Sequence, residues 1–183
     1  LQIANWNAEV SILMVNDAST ENRPKIKFNF KNIRSIWIIK KKKNKGHARC
    51  NATGLKFLTE KEDFDYVILM DGDGEDRPEE LTLLRDKSKE NPLKTVTANR
   101  INRSEGPFFK FLYQSHKILT YVFTGKLVKF GNYCCLPKEA AVKLVKEACI
   151  WSSFSGSVVK IISDRISIPS IRGQRYFGPS HMN

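Results

Sequence analysis

Asp71, Asp73, Glu75 and Asp76 crowd four carboxylates into six positions of the run Asp71-Gly72-Asp73-Gly74-Glu75-Asp76-Arg77-Pro78. Like charges repel and each loses water on burial, so such a cluster is costly at the end of a buried strand. A bound divalent cation removes most of that cost. Hard cations such as Mg²⁺ select oxygen, usually one or two carboxylates completed by substrate phosphates and water. The competing reading is a solvated acidic turn that caps a helix starting near Pro78. A second acidic position, Asp17 in Asn16-Asp17-Ala18-Ser19-Thr20, reads either as a ligand contact or as an Asx-type turn. Arg100, Arg103, Arg172 and Arg175 supply the opposite charge. The planar guanidinium fork suits phosphate oxygens, although most arginines are solvated surface charges. Arg100 and Arg175 are the stronger candidates of the four.

The elements that must position these groups alternate along the chain. Short β-rich apolar runs fall at 11–15, 35–39, 66–70 and 95–98, each bounded by polar or turn residues. Helical spacing covers 47–59, where Ala48, Ala52, Leu55 and Leu58 recur on one face, and 79–89, with Pro78 at its first position. Strands separated by helices predict an α/β fold, a mostly parallel sheet with helices on both faces. Ligands bind such folds beyond the carboxyl ends of the strands. Asp17 follows the first run and Asp71 the third, so both acidic clusters sit at that end.

Composition narrows the classes. With 183 residues and 41% hydrophobic content, the chain is long enough for a single well-buried domain. A net charge of +12 points to phosphate-bearing partners: nucleotides, nucleic acid or an anionic membrane surface. The run Lys40-Lys41-Lys42-Lys43-Asn44-Lys45 reads as a solvated loop, since a nucleic-acid surface would interleave exposed aromatics. Cys50, Cys134, Cys135 and Cys149 show no CxxC spacing, and adjacent Cys134 and Cys135 cannot easily bridge each other. His116 and His181 have no metal-ligand pattern. No run of 18 apolar residues is present.

In order along the chain, several segments resemble glycosyltransferase family 2, with the nucleotide-diphospho-sugar transferase (GT-A) fold. Val15-Asn16-Asp17-Ala18-Ser19-Thr20 is similar to the family's hydrophobic strand ending in Asp-x-Ser-Thr. Asn44-Lys45-Gly46-His47 resembles its Asn-x-Gly turn opening a helix. The Asp71 to Glu79 stretch resembles the Asp-x-Asp segment of the branch containing dolichyl-phosphate mannosyltransferase and bacterial polyprenyl-phosphate glycosyltransferases. Phe130-Gly131-Asn132-Tyr133 and the stretch from Arg172 to Ser180 resemble later segments of that branch.

The resemblance implies a metal-dependent transfer of sugar from a nucleoside-diphosphate donor, inverting at the anomeric carbon. It implies that Asp17 and Gly46 border the nucleotide, with Arg172 on the donor. Asp71 holds the ribose or metal, and Asp73 binds the Mg²⁺ or Mn²⁺ that bridges the diphosphate. Glu75 falls where a third metal-side ligand is expected and Asp73 carries the catalytic role, joined by Arg100 and Arg175 on the separate ground that their guanidinium forks suit phosphate. The Glu-Asp base pair of other branches is absent between Phe130 and Phe154. A sugar hydroxyl needs a base, whereas a lipid phosphate is already an anionic nucleophile. That favours a polyprenyl- or dolichyl-phosphate acceptor at the cytoplasmic face of a membrane, with Glu105 or Asp76 as the base otherwise.

The amphipathic stretch 108–123 reads as an interfacial helix or as one packed on the sheet. Transfer to a sugar hydroxyl in surface polysaccharide assembly is the alternative within the fold. A non-catalytic basic nucleotide- or nucleic-acid-binding module is the alternative outside it. The family's first strand has no counterpart, so residues 1–183 read as one catalytic domain cut from a longer enzyme. The central strand would then be missing, and its two neighbours would keep open edges.

Overall fold

The computed structural model describes residues 2–20, 31–102 and 130–176. Strand β1 (Val10–Asn16) lies parallel to β2 (Ile33–Lys40), with Leu13 opposite Trp37 and Asn16 opposite Lys40. Helix α1 (His47–Lys61) leads into β3 (Tyr66–Leu69). After the acidic turn, a 3₁₀ turn at Pro78–Glu80 runs directly into helix α2 (Leu81–Glu90), and strand β4 (Thr95–Asn102) follows. Pro78 opens that turn because a first-turn residue has no N–H partner to lose. Strand β5 (Phe130–Pro137), helix α3 (Lys138–Val145), helix α4 (Phe154–Ile161) and strand β6 (Arg165–Ile171) complete the order. Ser153 caps α4 by accepting the Gly156 N–H at 3.2 Å.

The strands form two sheets, β1-β2 and β3-β5-β4-β6. In the larger one, β6 is parallel to β4, but β5 runs antiparallel to both β3 and β4. β3, β4 and β6 thus share one direction and only β5 runs against them, within the expected α/β fold of sheets flanked by helices. A parallel neighbour needs a crossover element, and an antiparallel one does not. Residues 103–129 separate β4 from β5 and lie outside the described residues, as do the stretch 108–123, Arg103, Glu105, His116 and His181.

Side chains alternate across the sheet and sort into two cores. Val67, Leu69, Cys134 and Leu136 pack with Leu55, Leu144 and Val158 on one face. Tyr133, Cys135, Val96 and Ile168 pack with Leu84 on the other. Helices α1, α3 and α4 therefore cover one face and α2 the other, as an α/β fold requires. Adjacent Cys134 and Cys135 point to opposite faces, and all the cysteines are free. No helix among the described residues is long and apolar enough to cross a membrane.

Strand β1 is paired on one side by β2, and β3 on one side by β5. Residues of both strands line a single cleft of about 940 Å³, with Leu13 and Val15 from one and Val67 and Leu69 from the other. Leu55 and Leu58 of α1 also line this apolar part. The polar part lies where both strands end, at Asp17 and Asp71.

Candidate active site

Strand β1 ends in a turn that separates two roles. Asn16 makes the Asx turn, its Oδ1 accepting the Ser19 N–H at 2.7 Å, while Ala18 takes a positive φ of 61°. Asp17 is left to reach across to the loop before α1. Its carboxylate accepts the N–H of Lys45 at 3.0 Å and of Gly46 at 2.7 Å, and Lys41 Nζ stands 2.9 Å away. Burial alone would raise its pKa; Lys41 and the two amides outweigh that and hold the carboxyl below its ordinary value. Gly46 opens α1 at φ +85°, a backbone region that favours glycine. Asp17 thus fixes the Asn44–Gly46 turn at the mouth of the cleft.

The acidic turn is organised around its most buried member. Asp76 is 2% exposed; its Oδ2 accepts the Asp71 N–H at 2.8 Å and its Oδ1 accepts Arg100 Nη2 at 3.2 Å. Burial pushes Asp76 above the usual carboxylate range, with Arg100 and the amide pulling the other way. Asp71 is oriented by Asn132 of β5, whose Nδ2 donates to its Oδ1 at 3.1 Å. Asp73 Oδ1 accepts the Glu75 N–H at 3.0 Å, which tightens the turn.

A C-terminal strap crosses this turn. Gly173 N–H donates to the Glu75 carbonyl and Tyr176 N–H to the Asp73 carbonyl, each at 2.9 Å. A Cβ on Gly173 would stand 2.3 Å from the Gly74 carbonyl oxygen, so only glycine permits the crossing. Glu80 anchors the strap's start, accepting Ser170 Oγ at 2.6 Å and the Ile171 N–H at 2.9 Å. The strap delivers two arginines to Glu75: Arg172 Nη2 and Arg175 Nε both donate to Oε1, and Arg175 Nη2 also pairs with Asp73 Oδ2 at 3.0 Å. Burial raises the Glu75 pKa, but the two arginines outweigh it and hold the carboxyl below its ordinary value.

The cleft therefore gathers Asp17, Gly46, Asp71, Asp73, Glu75, Arg100, Arg172 and Arg175 along one wall or another. Glu75, expected as a third metal-side ligand, instead faces three arginines, with Arg100 Nη1 at 3.9 Å from its second oxygen. Among the described residues no group of three or more His, Cys, Asp or Glu side chains is arranged to hold a metal. Asp71 and Asp73 fit a cation shared with a substrate diphosphate, which asks for only one or two carboxylates. They do not form an all-protein cage. Asp76, an alternative base in the sequence, has both oxygens occupied and serves to hold Arg100. The sequence assigns no role of their own to Lys41, within the lysine run, or to Asn132, within the segment 130–133. Lys41 is indistinguishable by sequence from its neighbours in the lysine run, and only the fold reveals that it is the one held on Asp17.

The mixed α/β architecture, its sheets flanked by helices and its charged cleft at the strand ends, is consistent with a nucleotide-sugar transferase fold. The chain belongs to glycosyl transferase family 2, whose sequence pattern matches residues 2–150. It is also 28% identical over 120 residues to an uncharacterized protein of Methanocaldococcus jannaschii, covering 61% of this chain and 52% of that protein. The chain thus spans about half the length of this curated relative.

Proposed function

We propose that the cleft binds a nucleoside-diphosphate sugar with Mg²⁺ or Mn²⁺ and that the enzyme transfers the sugar, with inversion, to a lipid phosphate at the cytoplasmic face of a membrane. The observation that carries this reading is the convergence of Arg100, Arg172 and Arg175 on the carboxylates at the strand ends. Asp17 and the Gly46 turn border the nucleotide end. Asp71 and Asp73 hold the cation, which neutralises charge on the departing diphosphate. Arg175 and Arg100 add fixed positive charge where the leaving group becomes more anionic. Among the described residues Asp76, the candidate base, is buried and doubly engaged, which favours an acceptor that is already anionic over a sugar hydroxyl. Family membership supports a transferase over the basic binding module.

Titrating UDP-glucose and GDP-mannose into the protein by calorimetry, with Mn²⁺ or with chelator, tests the donor site. Binding of one donor that requires Mn²⁺ is expected; metal-independent binding, or none with a wider donor panel, would overturn the reading.

We further propose that the apolar part of the cleft takes one more strand between β1 and β3, whose facing sides carry no strand among the described residues. Leu13, Val15, Val67 and Leu69 line that part, and an edge left open there is a pairing template. In a version extended at its N-terminus, the amides of β1 and β3 should exchange more slowly and the Tm should rise. Unchanged exchange in both strands would sink this idea.

A further inference from the structure

Arg175 and a divalent cation would claim the same carboxylate. Arg175 Nη2 stands 3.0 Å from Asp73 Oδ2, while Asp73 Oδ1 is occupied by the Glu75 N–H. Two positive charges brought to one carboxylate repel each other, strongly so where water is partly excluded. The same guanidinium has a second hold: its Nε donates to Glu75 Oε1 at 2.8 Å, and Glu75 is only 10% exposed. Its backbone is fixed as well, because the strap is docked through Gly173 and Tyr176. The terminal nitrogen can therefore leave Asp73 while Nε stays on Glu75 and the strap stays in place.

We infer that Arg175 is the resident counter-cation of Asp73 in the donor-free protein, and that Glu75 is the positioning residue that retains it when a divalent cation takes that carboxylate. The inference rests on the donor-site reading above. The displaced guanidinium then faces the cleft, where a phosphate oxygen offers the partner it has lost. Cation and diphosphate consequently enter together, each making room or charge for the other. Without a diphosphate, the cation must displace Arg175 with nothing to receive it.

The test is Mn²⁺ affinity of the full chain, read by calorimetry without nucleotide and then with UDP or GDP. Wild type should bind Mn²⁺ weakly alone and at least about tenfold more tightly with the preferred diphosphate, within the usual range of coupling between sites. Arg175→Gln should bind Mn²⁺ alone about tenfold more tightly than wild type and lose most of the coupling. Arg175→Lys, which keeps the charge, should stay close to wild type. Glu75→Gln leaves Arg175 with Asp73 as its carboxylate partner and should weaken binding of Mn²⁺ alone. Equal Mn²⁺ affinity in wild type and Arg175→Gln without nucleotide overturns the exchange while the donor site stands. So does tighter Mn²⁺ binding by Glu75→Gln, should Arg175→Gln fail to fold. A wild type that binds neither Mn²⁺ nor diphosphate overturns both.

Discussion

Asp73→Ala is expected to abolish metal-dependent donor binding and to lower kcat about a hundredfold to a thousandfold, with the fold intact. The activity loss follows from the position of Asp73 on the cleft wall, where it would hold the cation that meets charge developing on the leaving diphosphate. The small effect on stability follows from exposure: the side chain is 33% accessible, so its pair with Arg175 is screened by water. Arg175 also keeps Glu75 after the change. The main structural loss is the acceptor for the Glu75 N–H, worth about 1 kcal/mol for an ordinary hydrogen bond. In a chain of this size that lowers Tm by about 2–4 °C. Steady-state transfer and a thermal melt on the same sample check both halves. A variant that retains transfer within a few fold removes Asp73 from the chemistry. One that melts 15 °C lower shows instead that Asp73 holds the turn together.

What the sequence showed and what it hid divide along physical lines. β1 to β4 are legible because apolar β-branched residues cluster between turn signals, as in Val10–Asn16 and Ile33–Lys40. α1 is legible because Ala52 and Leu55 repeat at helical spacing and are buried as that spacing requires. β5 is poorly legible: Phe130–Pro137 contains Gly, Asn, two Cys and Pro, and is buried on both faces, so it shows no alternation. β6 was hidden by Pro169, which an interior strand would not accept. It is tolerated because, among the described residues, β6 is the edge of its sheet and β4 is its one strand neighbour. The candidate site was visible as residue types at strand ends, because cleft-forming positions in α/β folds follow from topology. Their pairings were not visible. Nothing in the spacing of Glu75 and Arg175, a hundred residues apart, says that a glycine crossing at Gly173 will bring them within hydrogen-bond distance.

Asp76→Asn should cost far more stability than Asp73→Ala, and the deficit should change with pH. Asp76 is 2% exposed and accepts from both the Asp71 N–H and Arg100. An amide keeps one acceptor oxygen and turns an N–H₂ toward one of those donors. Breaking a buried charge pair from one side costs about 3 kcal/mol or more, which lowers Tm by about 6–12 °C at this chain length. The sign of the pH dependence comes from burial, which raises the folded pKa of Asp76 above its ordinary 3.8. The folded protein therefore takes up this proton before the unfolded chain does. The stabilisation from that uptake is complete below 3.8 and is lost as pH rises through the folded value. Glu75 and Asp17, both held below their ordinary values, behave oppositely: their contributions are present above those values and are lost as pH falls through the folded ones. These two groups remain in the variant, so they cancel in the comparison. The Tm gap between wild type and Asp76→Asn should accordingly widen from pH 7 to pH 4, even while both proteins lose stability through Glu75 and Asp17 toward the acid end. Paired melts at the two pH values decide the point. A gap that narrows would mean that Arg100 and the Asp71 amide hold Asp76 as a depressed, salt-bridged carboxylate, and that the turn is built on an ion pair whose attraction exceeds the desolvation it costs.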